Sequence, residues 1–118
     1  MISRTFGEFC ASLTVRIEIM VTSTNTIYGD FRAFIARKGE PLSKWYVGTT
    51  AEVYQSLFVE HYVSEHEGNW IYKQCANNQS AKNVKLSLMR LGCDGKAGGW
   101  DESINIVYAY LKSPGTKP

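Results

Sequence analysis

The stretch "KWYVGTTAEVYQSLFVEHYV", residues 44–63, changes its hydrophobic period in the middle and decides the fold class. Up to Gly48 the run is aromatic and β-branched, a composition that favours a strand. From residue 53 onward apolar side chains recur at spacings of three and four, which is typical of one face of a helix. Thr49, followed three residues later by Glu52, predicts a capping box at the start of that helix. The stretch therefore predicts a strand that leads directly into a helix.

The segments on either side of this stretch add further strands. Residues 13–21 alternate apolar and polar side chains, which predicts a strand with one buried face. Residues 31–37 end near a glycine and predict a second strand, which would form a hairpin with the strand at residues 44–50. The run "WIYKQCA", residues 70–76, predicts a short strand, because aromatic and β-branched residues prefer strands.

A second helix and a last strand complete the pattern. Residues 78–91 carry an apolar stripe, with Asn78 or Ser80 as the N-cap. Gly92 suits the left-handed residue that follows many helices. Residues 104–111 are apolar on both faces, which is typical of a central strand.

Length and composition indicate one domain. The chain has 118 residues and 44% hydrophobic content, enough for a single core. We expect one α+β domain over residues 1–118, with a mixed or antiparallel sheet and two main helices packed on it. Residues 1–22 would form an N-terminal strand extension, through which the chain would form a homodimer. The proline- and glycine-containing tail at residues 113–118 is expected to be loose.

Charge and cysteine usage limit the classes of partner and the compartment. The formal net charge is +2, short of the basic excess that would by itself indicate a nucleic-acid-binding protein. Cys10, Cys75 and Cys93 are odd in number and widely spaced, which favours reduced thiols in a cytoplasmic protein. The N-terminal residues lack the continuous apolar centre of a secretion signal, and no run approaches the ~20 apolar residues of a membrane span. We expect a cytoplasmic protein with no membrane partner.

The tripeptide Tyr-Val-Gly at residues 46–48, followed by a helix ending in "FVEH", resembles the Y-I-G element of the GIY-YIG nuclease family. In this resemblance "RAFIAR", residues 32–37, stands where the family has its GIY strand. The helix "SAKNVKLSLMRLG", residues 80–92, resembles the later helix that carries the family's metal-binding glutamate. The resemblance covers residues 31–92 and implies an α+β domain that acts on phosphodiester bonds.

The chemical groups of that family do not fall on the matching positions of this chain. Its first tyrosine would fall on Phe34, and its helix arginine would fall among the glutamine, serine and leucine at residues 55–57. Its glutamate would fall near Val84 or Lys85. Without a carboxylate there, metal-assisted cleavage by the family's mechanism is not expected, and we expect neither a metal site nor a cofactor.

A second resemblance covers the C-terminal half of the chain. Residues 67–103, followed by "VYAYLKSPGTKP" at residues 107–118, are similar to small uncharacterised proteins of phages, plasmids and integron gene cassettes. These proteins share a W-I-Y run, a helix, a glycine-rich loop and a V-Y-A-Y strand in that order. The resemblance implies a mobile-element origin and no established activity.

Several polar and aromatic side chains are candidates for a site. Basic side chains on and after the second helix would contact phosphates, although the wet face of an amphipathic helix explains them equally. Tryptophans would offer binding surface, although aromatic residues in strands usually belong to the core. Cys75 or Cys93 beside a histidine would be a nucleophile, although buried structural thiols are the favoured interpretation of both. The nucleic-acid candidates are Lys82, Lys85, Arg90 and Lys96; the binding-surface candidates are Trp45, Trp70 and Trp100; the catalytic candidates of a nuclease-like protein are Tyr46, Glu60 and His61.

The glycine-rich loop at residues 92–103 supports two opposed interpretations. Its glycine amides and Lys96 would attract an anion, whereas its carboxylates would bind a hard cation and repel that anion. A helix-to-strand connection without a ligand explains the same glycines and is the favoured interpretation.

The leading functional hypothesis is a non-catalytic binding or adaptor module, because no complete catalytic constellation is present. A protein or a nucleic acid would be its partner. The alternatives are a diverged GIY-YIG-like nuclease or nucleic-acid-binding protein, and a small-molecule-binding domain whose pocket is lined by Trp45, Tyr54, Trp70 and Trp100. Convergence of Tyr46, His61 and Lys85 on one cleft would favour the nuclease-like hypothesis.

Overall fold

The first element of the fold is a long helix, α1, at Ser12–Lys38. The computed structural model describes residues 12–98 and 101–118. The strands predicted at residues 13–21 and 31–37 are therefore wrong. The strand extension is likewise wrong over residues 12–22; residues 1–11 lie outside the described part, and the homodimer stays a prediction.

The helical face of α1 explains why a strand was expected. Ile27, Phe31 and Ile35 are spaced by four, and all three are buried in the core. Phe31 and Ile35 also fit a period of two, so this pair alone does not separate a helix from a strand. Ala33 distinguishes a helix from a strand, because a strand would bury Ala33 on the same face as Phe31, whereas in the structure Ala33 is exposed.

Four strands form one mixed sheet. They are β1 at Trp45–Thr50, β2 at Trp70–Gln74, β3 at Asp94–Gly95 and β4 at Ile106–Leu111. Their order is β2-β4-β1-β3, with β4 antiparallel to both neighbours and the short β3 parallel to β1. The three strands predicted over this part of the chain are confirmed, and β4 is central, as its two apolar faces indicate. The α+β class, with a mixed sheet and two main helices, is confirmed.

The second long helix, α2, spans Asn78–Leu91 and confirms its prediction. Its N-cap is Asn77 rather than Asn78 or Ser80, because the Asn77 side chain accepts a hydrogen bond from the Ser80 amide at 2.8 Å. Gly92 follows the helix with φ of 130°, a backbone conformation that suits glycine.

The helix predicted after β1 exists but is wound differently. Residues 53 and 54 are α-helical, and Gln55–Glu60 form a π-helix, a rare winding that is frequent at functional sites. Its start is held by Thr50 rather than by Thr49, since the Thr50 hydroxyl accepts the Glu52 amide at 2.9 Å.

The two faces of the sheet bury different chemistry. On one face, α1 and α2 pack on the alternating apolar residues of β1 and β4, including Val47 and Val107. On the other face, Tyr46, Tyr108 and Tyr110 form a second cluster with Leu57 and Val63 from the segment that follows β1. The helices therefore occupy one face, and the tyrosines lie on the face that carries the π-helix.

The opposite responses of two neighbouring positions test the helical assignment of α1. We expect Phe31→Ala to lower the free energy of unfolding by about 3–5 kcal/mol, because it empties a fully buried site. Ala33→Gln should change it by less than about 0.5 kcal/mol, because residue 33 is exposed and glutamine is a good helix former. Urea denaturation measures both. Equal, large losses at the two positions would indicate a strand.

Candidate functional site

A cleft of about 130 Å³ opens at the edge of β1 that β3 leaves uncovered. The strand β3 pairs only with Tyr46 and Val47, and beyond them the glycine-rich loop lies beside the end of β1. The cleft has a polar character, with phenol hydroxyls on the sheet side and lysines on the helix and loop side. Its lining residues are Tyr46, Gly48, Thr49, Lys85, Lys96, Ala97, Gly98 and Tyr108.

Lys85 is the charged group that shapes this cleft. It lies on α2 and is only 3% exposed. Its Nζ donates hydrogen bonds to the carbonyl oxygens of Lys96 at 3.0 Å and Gly98 at 3.1 Å. Burial lowers the pKa of Lys85, and the charge of Lys82 acts in the same direction. The two carbonyl acceptors favour the protonated amine, so Lys85 places a hydrogen-bonded cation at the cleft.

The ligand of the glycine-rich loop is thus the chain's own lysine. The loop directs two carbonyl oxygens to Lys85, and Asp94 and Asp101 bond to other groups of the chain. Asp94 accepts from Lys112 Nζ at 3.1 Å, and Asp101 accepts from the amide and hydroxyl of Ser103. Hydrogen bonds and nearby cations lower the pKa of Asp94. The interpretation of the loop as a connection without a ligand stays a prediction.

A chain of hydrogen bonds runs from the cleft to the C-terminal tail. The Tyr108 hydroxyl lies 2.8 Å from His61 Nε2, and His61 Nδ1 lies 2.6 Å from the Lys117 carbonyl oxygen. A carbonyl only accepts, so Nδ1 carries the proton of the neutral imidazole, and Nε2 accepts from Tyr108. The Lys117 amide also donates to the His61 carbonyl at 2.8 Å. The tail that was expected to be loose therefore holds His61 in place.

The backbone on both sides of His61 has an unusual conformation. His61 follows the π-helix, and its amide donates to the Ser56 carbonyl five residues back at 3.0 Å. Tyr62, the next residue, has φ of 56°, a left-handed conformation that costs a non-glycine residue about 1–2 kcal/mol. Such strain is retained where surrounding contacts determine the backbone, and it is common at functional sites.

Gly48 allows Tyr108 to reach the cleft. A Cβ at position 48 would lie 2.5 Å from the Tyr108 hydroxyl oxygen, closer than real contacts allow. Burial raises the pKa values of both Tyr46 and Tyr108 above that of an ordinary phenol. Both side chains are therefore neutral hydroxyl donors at physiological pH.

The cleft unites part of the predicted site. Tyr46 and Lys85 line it. His61 does not line it, although its ring centroid lies 5.1 Å from that of Tyr46, so the convergence that the nuclease-like hypothesis requires is met only in part. Glu60 does not join them; it is exposed and lines a neighbouring depression that also reaches Tyr108.

The four basic candidates lie in different environments in the structure. Lys85 and Lys96 line the cleft, and Lys82 lies with Lys85 in an adjacent groove. Arg90 is exposed and lines neither of them. The solvated-face interpretation is thus wrong for the buried Lys85.

The aromatic candidates also separate. Trp45 is fully buried on the helix side of the sheet, so it offers no binding surface. Trp70 lies on the opposite face and is held by a hydrogen bond from its Nε1 to the Glu65 carbonyl at 3.1 Å. The small-molecule pocket that would combine Trp45 with Tyr54 and Trp70 is therefore not formed, and Trp100 lies outside the described residues.

A strip of ring contacts extends from Trp70 in both directions. The ring centroids of Tyr54 and Phe58 are 4.9 Å apart, those of Phe58 and Trp70 are 5.0 Å apart, and the Trp70 and Tyr72 rings stack at 6.2 Å. Tyr54 is 62% exposed and Tyr72 is 46% exposed. We call these four residues the aromatic strip.

The remaining candidates for metal or thiol chemistry are not assembled. Within residues 12–98 and 101–118, no cluster of three or more histidine, cysteine or acidic side chains is placed to hold a metal ion. Cys75 and Cys93 are buried, and burial raises their pKa values, that of Cys93 to about 11. Both are thus poor nucleophiles at neutral pH.

Sequence reasoning missed Tyr108 as a site residue. It was interpreted as one apolar position of a central strand, and nothing local to β4 distinguishes it from core. The available signal was Gly48 inside β1, because a glycine within a strand indicates a close approach by another group.

Comparisons with protein-family models, curated proteins and solved structures give no match for this chain. Across the described residues, no helix has the length and apolar character needed to cross a membrane. The GIY-YIG and mobile-element resemblances stay predictions from the sequence, and the function is argued from the cleft.

Substituting two glycines tests the contact between Gly48 and Tyr108. We expect Gly48→Ala to destabilise the fold by about 1–3 kcal/mol, because the new methyl group overlaps the tyrosine ring and hydroxyl. Gly29→Ala is the matched control: it lies in α1 with nothing within 4 Å of an added Cβ, so it should stabilise by up to about 1 kcal/mol. Thermal and urea unfolding measure both. Equal effects of the two substitutions would contradict this geometry.

Proposed function

We propose that the protein is a nucleic-acid-binding module that holds a backbone phosphate in the cleft between Tyr46, Lys85 and Tyr108, without a metal ion. The observation that carries this proposal is the buried Lys85 side chain, whose Nζ donates to two loop carbonyls at the cleft. It lies in the region of α2 where the GIY-YIG resemblance would place a metal-binding glutamate. In this proposal, a cation of the chain itself takes the role that a carboxylate and its metal have in the family.

The groups of the cleft suit a phosphodiester. An ammonium has three N–H donors, and the loop carbonyls accept two of those of Lys85. The neutral phenol of Tyr46 adds a hydroxyl donor, and Lys96 also lines the cleft. Bonds from charged donors to phosphate oxygens are stronger than neutral ones. The same positive charges disfavour Mg²⁺, so binding should not require it.

The strand arrangement supports a permuted relationship to the GIY-YIG family. The strand expected at residues 31–37 is part of α1, and the strand that pairs antiparallel with β1 is instead β4. Its register sets Tyr108 opposite Gly48 and Tyr110 opposite Tyr46. We propose that β4 takes the place of the GIY strand, so that Tyr46 and Tyr108 correspond to the two tyrosines of the family.

The aromatic strip supports single-stranded nucleic acid as the ligand. Tyr72 pairs with Tyr108 in the β2–β4 register, and residues directly opposite each other point to the same face. One end of the strip therefore lies opposite a residue that lines the cleft. Exposed aromatic rings stack unpaired bases, with about 1–3 kcal/mol per base, whereas paired bases of a duplex are not free to stack on them.

A protein-binding adaptor is the second candidate, because the aromatic strip alone would serve a protein partner. The cleft favours nucleic acid, since an adaptor surface gives no reason for a buried lysine beside two phenols. Mobile-element origin, a homodimer and a cytoplasmic location also belong to the proposal as predictions from the sequence.

Removing the Lys85 charge tests the proposed function. We expect wild-type protein to bind a fluorescein-labelled oligothymidylate in EDTA, measured by fluorescence anisotropy over a range of salt concentrations. Lys85→Gln should weaken binding by about tenfold or more, the loss expected for one charge-assisted hydrogen bond. It should also reduce the salt slope by about 0.7, the value for one phosphate contact on a single strand.

The matched control is Lys73→Gln, which removes the same charge elsewhere. Lys73 forms an ion pair with Asp30 of α1 at 3.4 Å, on the helix side of the sheet. Lys73→Gln should bind the oligothymidylate with an affinity within about twofold of that of wild-type protein, because residue 73 does not line the cleft. Equal losses in the two variants, or binding by wild-type protein only when Mg²⁺ is added, would contradict the proposal.

A further inference from the structure

We infer that Tyr108 is a nucleophile that attacks the phosphorus of a phosphodiester held in the cleft, with His61 as its general base, so that the protein carries out metal-independent transesterification through a phosphotyrosine. This inference rests on the proposed function, because it requires the phosphate to occupy the cleft. It goes further than binding because it assigns a nucleophilic attack on phosphorus to Tyr108.

The geometry has the three parts that activate a nucleophile. Tyr108 lines the cleft, and its hydroxyl oxygen is 2.8 Å from His61 Nε2, within reach for proton transfer. The other ring nitrogen is bound to the Lys117 carbonyl at 2.6 Å, which fixes the tautomer with Nε2 unprotonated. Nucleophile, base and orienting group thus form one chain of hydrogen bonds.

The neighbouring tyrosines are placed differently. The Tyr110 hydroxyl lies 3.1 Å from His61 Nδ1, the nitrogen that already carries the proton in the neutral ring. Tyr110 does not line the cleft. Tyr46 does line it, but the hydrogen bond of Nε2 goes to Tyr108. Tyr108 is therefore the phenol that meets both the cleft and a base able to accept its proton.

The electrostatics explain why a base is needed and where charge is stabilised. Burial raises the pKa of Tyr108, so the phenol is protonated at neutral pH. It therefore has to lose its proton to a base as the new bond to phosphorus forms. Negative charge develops on the phosphoryl oxygens during attack. Lys85 offers a fixed cation in the same cleft, a preorganised group of the kind that stabilises such charge.

The step balances without any co-reactant. The Tyr108 oxygen forms a bond to phosphorus, the bond from phosphorus to the leaving oxygen breaks, and the phenol proton moves to His61 Nε2. The leaving oxygen takes a proton from water, and His61 later returns its own to water. Nothing is oxidised or reduced. Attack by a free hydroxyl of a nucleic-acid strand reverses the step and releases Tyr108.

The test uses thymidine 5′-(p-nitrophenyl phosphate), whose leaving group is coloured and needs no protonation. With full-length protein in EDTA, we expect a burst of p-nitrophenolate that does not exceed one equivalent per protein. Mass spectrometry should locate the thymidylyl adduct on Tyr108. Tyr108→Phe should abolish both signals, and His61→Gln should slow the burst by about 100-fold or more, as loss of a general base does.

The matched control is Tyr28→Phe, which removes a phenol from α1 on the opposite side of the sheet and should leave the burst unchanged. A burst that persists in Tyr108→Phe, or an adduct on another residue, would overturn the inference. The unfolding midpoint of each variant shows whether a lost burst reflects lost fold. If the Tyr108→Phe variant is unfolded, the inference is tested instead by the residue that carries the adduct in wild-type protein and by the burst rate of His61→Gln.

Oligothymidylate binding separates this inference from the proposed function. Lys85-dependent binding by wild-type protein without any burst or adduct would overturn the nucleophile and leave the binding function standing. The absence of both binding and burst would overturn both proposals.

Discussion

The site depends on the hydrogen bonds by which the buried Lys85 ammonium holds the glycine-rich loop. A lysine that is almost fully buried requires polar partners, and the carbonyls of Lys96 and Gly98 supply them. Because these bonds connect α2 to the loop, they also position the loop beside the uncovered end of β1. One cation thus stabilises the wall of the cleft and supplies charge to its interior.

The central position of β4 connects this wall to the rest of the site. One face of β4 packs on the helices, and the other carries Tyr108 and Tyr110. The π-helix and the C-terminal tail meet above these tyrosines at His61. Groups that are far apart in the chain therefore converge because a single strand lies between β1 and β2.

Elements with an unambiguous period could be predicted, and those with two compatible periods could not. The strand at β1 and the helix α2 each show one pattern, and both were found. The α1 segment contains many β-branched residues, and its buried positions also fit an alternating pattern, so local preference favoured strands. Burial of Ile27, Phe31 and Ile35 against α2 and the sheet overrode that preference.

Individual residues of the candidate site could be predicted from the sequence, but their arrangement in space could not. Tyr46, His61 and Lys85 were singled out individually because of a motif and their chemistry. Their convergence depends on β4 pairing with a strand more than fifty residues earlier, and that pairing cannot be deduced from local pattern. Tyr108 was missed for the same reason, since its partners, His61 and Gly48, lie far away in the chain.

An NMR titration tests most directly whether the cleft holds a phosphate through Lys85 without a metal ion. Oligothymidylate is added to ¹⁵N-labelled protein in EDTA, and backbone amide shifts are followed. We expect the largest shifts at Gly48, Lys85 and Gly98, together with the aromatic strip, and their loss in Lys85→Gln. Shifts confined to α1, or shifts that appear only after Mg²⁺ is added, would contradict the proposed site.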